Sequence, residues 1–297
     1  MGDHFLPRYY LRGFAEEPET NIIYRYQKGT NELLKTNVKN VAQENKLYSR
    51  ALEKFLAREI EKPGNPVLKK IRIHQNISIA EKKVLSRYIV VMMLRVPQTK
   101  IQMTTWFEKN KEVYFDGFEA QLRRLIDANP DKADIAAKRI QELREVRDQG
   151  RIKPEEIWHS MVTPERLPKV SLAIENMTWT FLIAKKTSGF LTGDNPVFFS
   201  KEIGLANRSA ELTFPISTDV ALLAFWGKDI TCRFEIAKES AVQEINRRTV
   251  NFATKYVFYY HPAQWVINLL TKRNLRIRKL ANRPLTTKGR SISALLI

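Results

Sequence analysis

Residues 177–199, MTWTFLIAKKTSGFLTGDNPVFF, are where the period of the chain changes. Upstream, apolar residues recur at helical spacing. From Thr178 they come in short β-prone runs separated by Gly, Pro, Asn or Asp. Thr178 to Ala184 and Gly189 to Phe199 are the first two runs, and Leu212 to Ile216, Ala221 to Trp226 and Thr231 to Ile236 follow. Together they predict an antiparallel sheet. A helix is expected from Ser240 to about Lys255, with Val242, Ile245, Thr249, Phe252 and Tyr256 on the stripe that covers the sheet. A last strand is expected at Tyr256 to Tyr260 or at Trp265 to Leu270.

Before this switch, Ile22 to Tyr26 and Glu32 to Thr36 flank the turn-prone Lys28-Gly29-Thr30-Asn31, the pattern of a β-hairpin. From Ala51 the spacing of Leu52, Phe55, Leu56 and Ile60 predicts a helix that Pro63-Gly64 should stop. A longer helix is expected from Ile79, broken near Arg95 by Pro97. Others are expected from Trp106 to Ala128 and from Asp131, a candidate cap, to about Gln149. The expected fold class is α+β, with an N-terminal β-hairpin and α-helical block followed by an antiparallel sheet with a covering helix. No repeat or low-complexity linker interrupts residues 1–297, which predicts a single unit with lobes 1–177 and 178–297.

With 297 residues, 43% of them hydrophobic, the chain is long enough for a substantial core, which excludes global disorder. The lone Cys232 leaves no intramolecular disulfide, consistent with a reducing, cytoplasmic setting, and reads as a buried strand residue. The opening Met1-Gly2-Asp3-His4-Phe5 has no basic-then-apolar leader, and the most apolar stretch, Tyr88 to Leu94, is cut off by Arg95 and Pro97. Neither secretion nor a membrane is therefore expected. His74, His159 and His261 are isolated and show no metal-ligand spacing. No metal and no cofactor are expected.

Charge points to a partner. The formal net charge is +18, and the stretch from Ile245 to Ile297 carries eleven Lys and Arg without one Asp or Glu. One-signed charge of this kind suits a polyanion, because each Lys or Arg that neutralises a phosphate releases condensed counterions. The predicted phosphate contacts are Arg247, Arg248 and Lys255 on the outer side of the late helix, followed by Lys272, Arg273, Arg276, Arg278 and Lys279 in the tail. The bland alternative is a solvated edge strand whose charges only prevent aggregation.

Two constellations carry candidate chemistry. In His4-x-x-Pro7-x-x-Tyr10-Leu11-x-x-Phe14, a neutral imidazole can move a proton near neutral pH, and Arg8 or Arg12 can hold a phosphate through paired hydrogen bonds. The alternative is that Phe5, Leu6, Leu11 and Phe14 dock the segment while His4 only meets a backbone carbonyl. In Gly193-Asp194-Asn195-Pro196, Asp194 and Asn195 stand at a strand end, with Asp194 placed to orient His4. The same four residues also make a good turn. Arg95 is a charge in an apolar helix and should find a carboxylate such as Glu61 or Glu53.

On these residues the chain resembles the bacterial domain-of-unknown-function family 4238, marked by the His4 to Phe14 pattern and the late Asp194-Asn195-Pro196. The likeness runs on through the hairpin, Glu44 to Tyr48, Arg95-x-Pro97, Phe214 to Ser217 and Ile245-Asn246. The resemblance implies a bacterial, soluble, single-unit protein and carries no agreed activity; the basic tail is not part of it. The leading expectation is therefore a cytoplasmic nucleic-acid-binding protein, for RNA or DNA. Its rival is a metal-independent nuclease acting as a toxin or defence effector, with His4 as general acid or base, Asp194 orienting it, and Arg8 or Arg12 stabilising the phosphorane. A third reading is a protein-interaction module without catalysis.

Overall fold

The computed structural model describes residues 2–271 except 18, 46, 151, 153, 164–166, 201–203, 228 and 230. Its contacts form two compact units, Met1–Val96 with Pro164–Ile297, and Pro97–Thr163.

The first unit opens with β1 (Asp3–His4), the one-turn helix α1 (Arg8–Leu11) and a 3₁₀ turn at Arg12–Phe14. The expected hairpin follows as β2 (Ile22–Gln27) and β3 (Leu33–Asn37). Its turn places Gly29 at φ 76°, a conformation glycine adopts at no steric cost. A 3₁₀ turn at Val38–Asn40 leads to β4 (Gln43–Glu44), which pairs antiparallel with β1. Then come α2 (Arg50–Phe55), a π-helical turn at Leu56–Glu61, α3 (Lys62–Arg72) and α4 (Ile79–Leu94). Pro63-Gly64, expected to stop the helix, does not. Proline has no N–H to donate, and its ring crowds the carbonyl four residues back; the widened π turn just before it lets the helix continue into α3. The break expected before Pro97 is present, since α4 ends at Leu94. Its start is set by a capping box in which Ser78 and Glu81 bond each other's backbone N–H.

The second unit is helical: α5 (Pro97–Ala128), α6 (Ala133–Asp148) and α7 (Pro154–Ser160). Asp131 was expected to cap α6. It lies instead in a 3₁₀ turn, Pro130–Lys132, and the residue before α6 is Lys132, which makes no side-chain cap bond. Phe107 and Phe115 are buried among Tyr114, Leu143, Val146 and Ile152. On the outside, hydrogen bonds from Arg144 and Arg123 hold the Glu119 carboxyl down to about 2. Exposed pairs of this kind add little to stability.

The first unit resumes with α8 (Leu167–Glu175), β5 (Thr178–Ile183), β6 (Thr192–Gly193), β7 (Phe198–Phe199), β8 (Glu211–Pro215), β9 (Val220–Phe225) and β10 (Cys232–Ile236). It closes with α9 (Glu239–Phe252), β11 (Tyr256–Tyr259) and α10 (Gln264–Leu270). Of the two positions expected for the last strand, the first is a strand. The second is helical because its buried residues, Val266 and Leu270, fall four apart.

The α+β class is realised, with the late strands divided between two sheets. One is five-stranded in the order β10-β5-β9-β8-β7, and the other four-stranded in the order β3-β2-β11-β6. The N-terminal hairpin is thus completed by late elements. Pairing is antiparallel except between β10 and β5. The chain crosses over β5 between β9 and β10, which leaves β10 parallel to the strand it skipped.

The predicted covering helix α9 packs Ala241, Val242 and Ile245 against Leu182, Phe190, Ala221 and Leu223. Its last turn, at Val250, joins Tyr24, Tyr26, Val257 and Tyr259 of the second sheet. Asn246 pins the β5–β6 connection by accepting from the Leu191 N–H and donating to the Gly189 carbonyl, both at 2.8 Å.

Helices α3 and α4 touch at Gly64. A Cβ there would lie 2.5 Å from the Tyr88 ring, and that ring is fully buried. Gly64→Ala should therefore lower stability by about 1–3 kcal/mol, seen as an earlier denaturant midpoint. An unchanged midpoint would mean that the helices separate without cost.

Candidate functional site

The opening motif folds as its residue types dictate. His4 lies on β1, opposite Gln43 of β4. Pro7, at φ −58° and ψ 136°, caps α1, a role its fixed φ suits. Tyr10, Leu11 and Phe14 then turn inward and are fully buried. Tyr10 stacks on Phe214 with centroids 5.2 Å apart. Its hydroxyl donates to the Pro215 carbonyl at 2.8 Å and shares a 2.7 Å hydrogen bond with Thr192 Oγ1.

This docking leaves a cavity of about 700 Å³ beside His4. Asp3, His4 and Arg8 form one wall, Lys39, Asn40, Gln43 and Tyr48 another, and Glu53, Leu56, Ala57 and Glu61 a third, with Arg95 also among its walls. The third wall is largely the π turn, a feature that recurs at functional sites. Arg95 is 4% exposed. It donates to Glu61 Oε1 at 2.7 Å and to the His4 carbonyl, and its guanidinium lies over the Tyr48 ring, 5.6 Å from the centroid. The carboxylate expected for Arg95 is thus Glu61. Tyr48 adds two ties: its hydroxyl donates to the Arg95 carbonyl at 2.9 Å, and its N–H donates to Asp3 Oδ2 at 3.2 Å. Burial pushes the Tyr48 phenol up to about 12, so it stays a hydroxyl.

The state of His4 follows from its partner. Nε2 lies 3.2 Å from the Lys39 carbonyl oxygen. A carbonyl only accepts, so Nε2 carries the proton, and in the neutral ring Nδ1 keeps its lone pair. Burial, helped by the charge of Arg8, lowers the His4 pKa below its ordinary value. At neutral pH the ring is therefore neutral, the form that accepts a proton. The docking expected of Phe5, Leu6, Leu11 and Phe14 is present as well, so anchoring and a cavity-lining His4 coexist.

The other candidates lie apart from it. Asp194 is buried at the end of β6, where its carboxylate accepts from the N–H groups of Thr254, Lys255 and Tyr256 at 2.6, 2.7 and 2.9 Å. Burial raises its pKa against the pull of those bonds. The groups that act on His4 are Arg8, Lys39, Arg95 and Glu61. Asp194 is thus occupied as a backbone clamp and does not orient the imidazole, and Asn195 is buried beside it. The two motifs do meet, through Tyr10 and Thr192. Arg12 bonds Asn21 Oδ1 at 2.6 Å and is not among the cavity walls.

The expected phosphate face of α9 is also altered. Arg248 is buried at 7% exposure, donating to Glu211 at 2.8 Å and to Glu244 at 3.0 Å, over the Phe198 ring. Arg247 donates to Glu244. Lys255 is exposed, its Nζ 5.0 Å from the Tyr256 centroid. Lys272, Arg273, Arg276, Arg278 and Lys279 lie outside the described residues. Among the described residues no group of His, Cys, Asp or Glu is arranged to hold a metal, and no helix is long and apolar enough to cross a membrane.

Sequence reasoning did not place Asp3, Lys39 or Tyr48 at the site. Tyr48 lies in the Glu44 to Tyr48 segment of the family pattern, a signal that marked the stretch but not its role. The π turn had a sequence signal in the Pro63 that follows it. A family model described as "Protein of unknown function (DUF4238)" matches residues 3–262. No curated protein and no solved structure gives a match.

Asp194→Ala would remove the shared acceptor of three partly buried N–H groups. The expected loss is about 1–3 kcal/mol of stability, while the His4 titration followed by NMR stays where it is. A displaced His4 titration would restore the carboxylate–imidazole partnership.

Proposed function

We propose that this protein, which belongs to the DUF4238 family of proteins of unknown function, binds nucleic acid and cleaves its phosphodiester backbone at the His4 cavity. The observation that carries this reading is the tautomer of His4: a neutral ring with Nε2–H held by Lys39 and a basic Nδ1, in a cavity that also holds exposed Arg8. Charge supports the choice of substrate. Leaving out the eight Lys and Arg after Thr271, 42 basic against 32 acidic side chains still give +10. A polyanion is drawn to such a body at any sequence.

In this mechanism Nδ1 takes the proton from the attacking hydroxyl, either a ribose 2′-OH or water. The new P–O bond forms as the bond to the departing oxygen breaks, and that oxygen takes up a proton from solvent. Arg8 balances the charge that gathers on the phosphorane. Arg95 acts on the main chain, holding the His4 carbonyl and thereby the position of the ring. Tyr48 is a hydroxyl throughout.

Binding without cleavage is the second reading, supported by the net charge alone. Replacement of His4 separates the two. His4→Ala should abolish degradation of RNA or DNA and leave binding largely intact; degradation that survives unchanged would remove the catalytic reading. Binding itself should weaken by roughly 0.7–0.9 logarithmic units per phosphate contact for each tenfold rise in salt. A flat salt response would point to a partner other than nucleic acid.

The pH profile has a defined sign. His4 acts when deprotonated, and its pKa lies below the ordinary 6.5. Cleavage should rise as pH increases through that lowered pKa and stay level from pH 7 to 8. A rate that falls over the acidic limb would assign His4 the role of acid instead.

A further inference from the structure

A second hollow lies next to the His4 cavity and shares Ala57 and Glu61 with it. It is an open groove of about 600 Å³ along α3. Lys62, Asn65, Pro66 and Lys69 line it, at spacings of three and four that place them on one helical stripe. Tyr9 lines its far side. We propose that this groove seats the nucleotide adjacent to the one whose phosphate enters the His4 cavity, so that the substrate is a single strand. The assignment rests on the nucleic-acid reading of the cavity and adds the path of the strand beyond it.

Three features argue for that occupant. The Tyr9 ring is already backed by the Arg72 guanidinium, 5.1 Å from its centroid, and Arg72 is fixed by bonds to the Tyr9, Tyr10 and Ile216 carbonyls. A ring held in this way is a platform for a base, which stacks with little regard to its identity. Lys62 and Lys69 are exposed, and no ion pair engages either among the described residues. They stand two turns apart on the helix, about 10 Å, a span that suits successive phosphates of a strand bent over the ring. Asn65 lines the groove between the two lysines and sets a polar amide beside the path of a base.

Continuity decides between a strand and a duplex. The π turn carries Ala57 and Glu61 into both hollows, so one chain can run from the His4 cavity across that ridge onto α3. A base that stacks on Tyr9 has to leave any duplex. Paired nucleic acid is therefore excluded from this path.

The experiment is a length series of 2′-O-methyl uridine oligonucleotides, which cannot react through a 2′-hydroxyl and whose length is checked after each titration in case water attacks. The nucleoside 5′-monophosphate, dinucleotide and tetranucleotide are titrated calorimetrically into the wild-type protein and Lys62→Ala/Lys69→Ala. For the wild type, affinity should rise about tenfold on going from one nucleotide to two. The double variant should keep the mononucleotide affinity, lose most of that gain, and show a salt slope shallower by about 1.4, at roughly 0.7 per phosphate contact. A gain that persists in the double variant overturns the groove assignment and leaves the cavity reading standing. Wild-type protein that binds neither mononucleotide nor tetranucleotide overturns both. Lysine-dependent binding of hexaglutamate at equal affinity also overturns the groove assignment, since it would make α3 a general anionic-peptide face.

Discussion

The burial of the Arg72 guanidinium is the constraint on which the rest of the first unit depends. It is satisfied by main-chain carbonyls, those of Tyr9, Tyr10 and Ile216, and it lies over the Tyr9 ring. Burial lowers its pKa against the pull of the surrounding phenols, as expected when a cation is drawn out of water. One side chain on α3 thereby ties the opening motif to the strand that ends at Pro215. Glycine is required where these parts converge: a Cβ on Gly13 would sit 2.6 Å from the Ile216 carbonyl oxygen. The anchor is thus both a charge and a missing side chain.

The same device recurs at three other irregular segments of the unit. Asp194 gathers three N–H groups at the start of β11, Asn246 holds both sides of the β5–β6 connection, and Tyr10 joins Pro215 to Thr192. Buried polar groups are costly unless paired. Each therefore specifies one arrangement of the loops it holds, and loops held in this way do not yield easily. Arg95 and Tyr48 do the same for the backbone of His4 and Asp3. A ring held through its own main chain keeps its position without a carboxylate partner, and Asp194 is not among the groups that act on His4.

Residue patterns expose the parts of the site that are local. His4, Arg8, Tyr10 and Phe14 stand within one short motif, and the charge of Arg95 amid apolar residues marks it as a group that needs a partner. Its need for an acid points to Glu61 or Glu53, and only the fold shows that Glu61, at the end of the π turn, is the partner. Lys39 leaves no mark in the sequence because it contributes a carbonyl, which every residue possesses. Arg248, expected on the outer side of α9, stands seven residues after Ala241 and three after Ile245, which is the covering face, and Glu211 of β8 receives its guanidinium there.

Local period and turn chemistry were enough to settle the fold class, the hairpin, the break before Pro97 and the covering helix, because helices and strands express their repeat in neighbouring residues. The partition of the strands into two sheets and the parallel entry of β10 were decided by contacts between distant segments, whereas the helix passes Pro63 by widening locally into the π turn before it. The pairing of the two motifs was also decided by distant contacts. The sequence marks the His4 and Asp194 stretches as special, and only the folded chain shows that they are joined by Tyr10 and Thr192 while His4 faces a cavity built from other elements. Which polar group meets which is a matter of distance in space, and nothing in the order of residues encodes that distance directly.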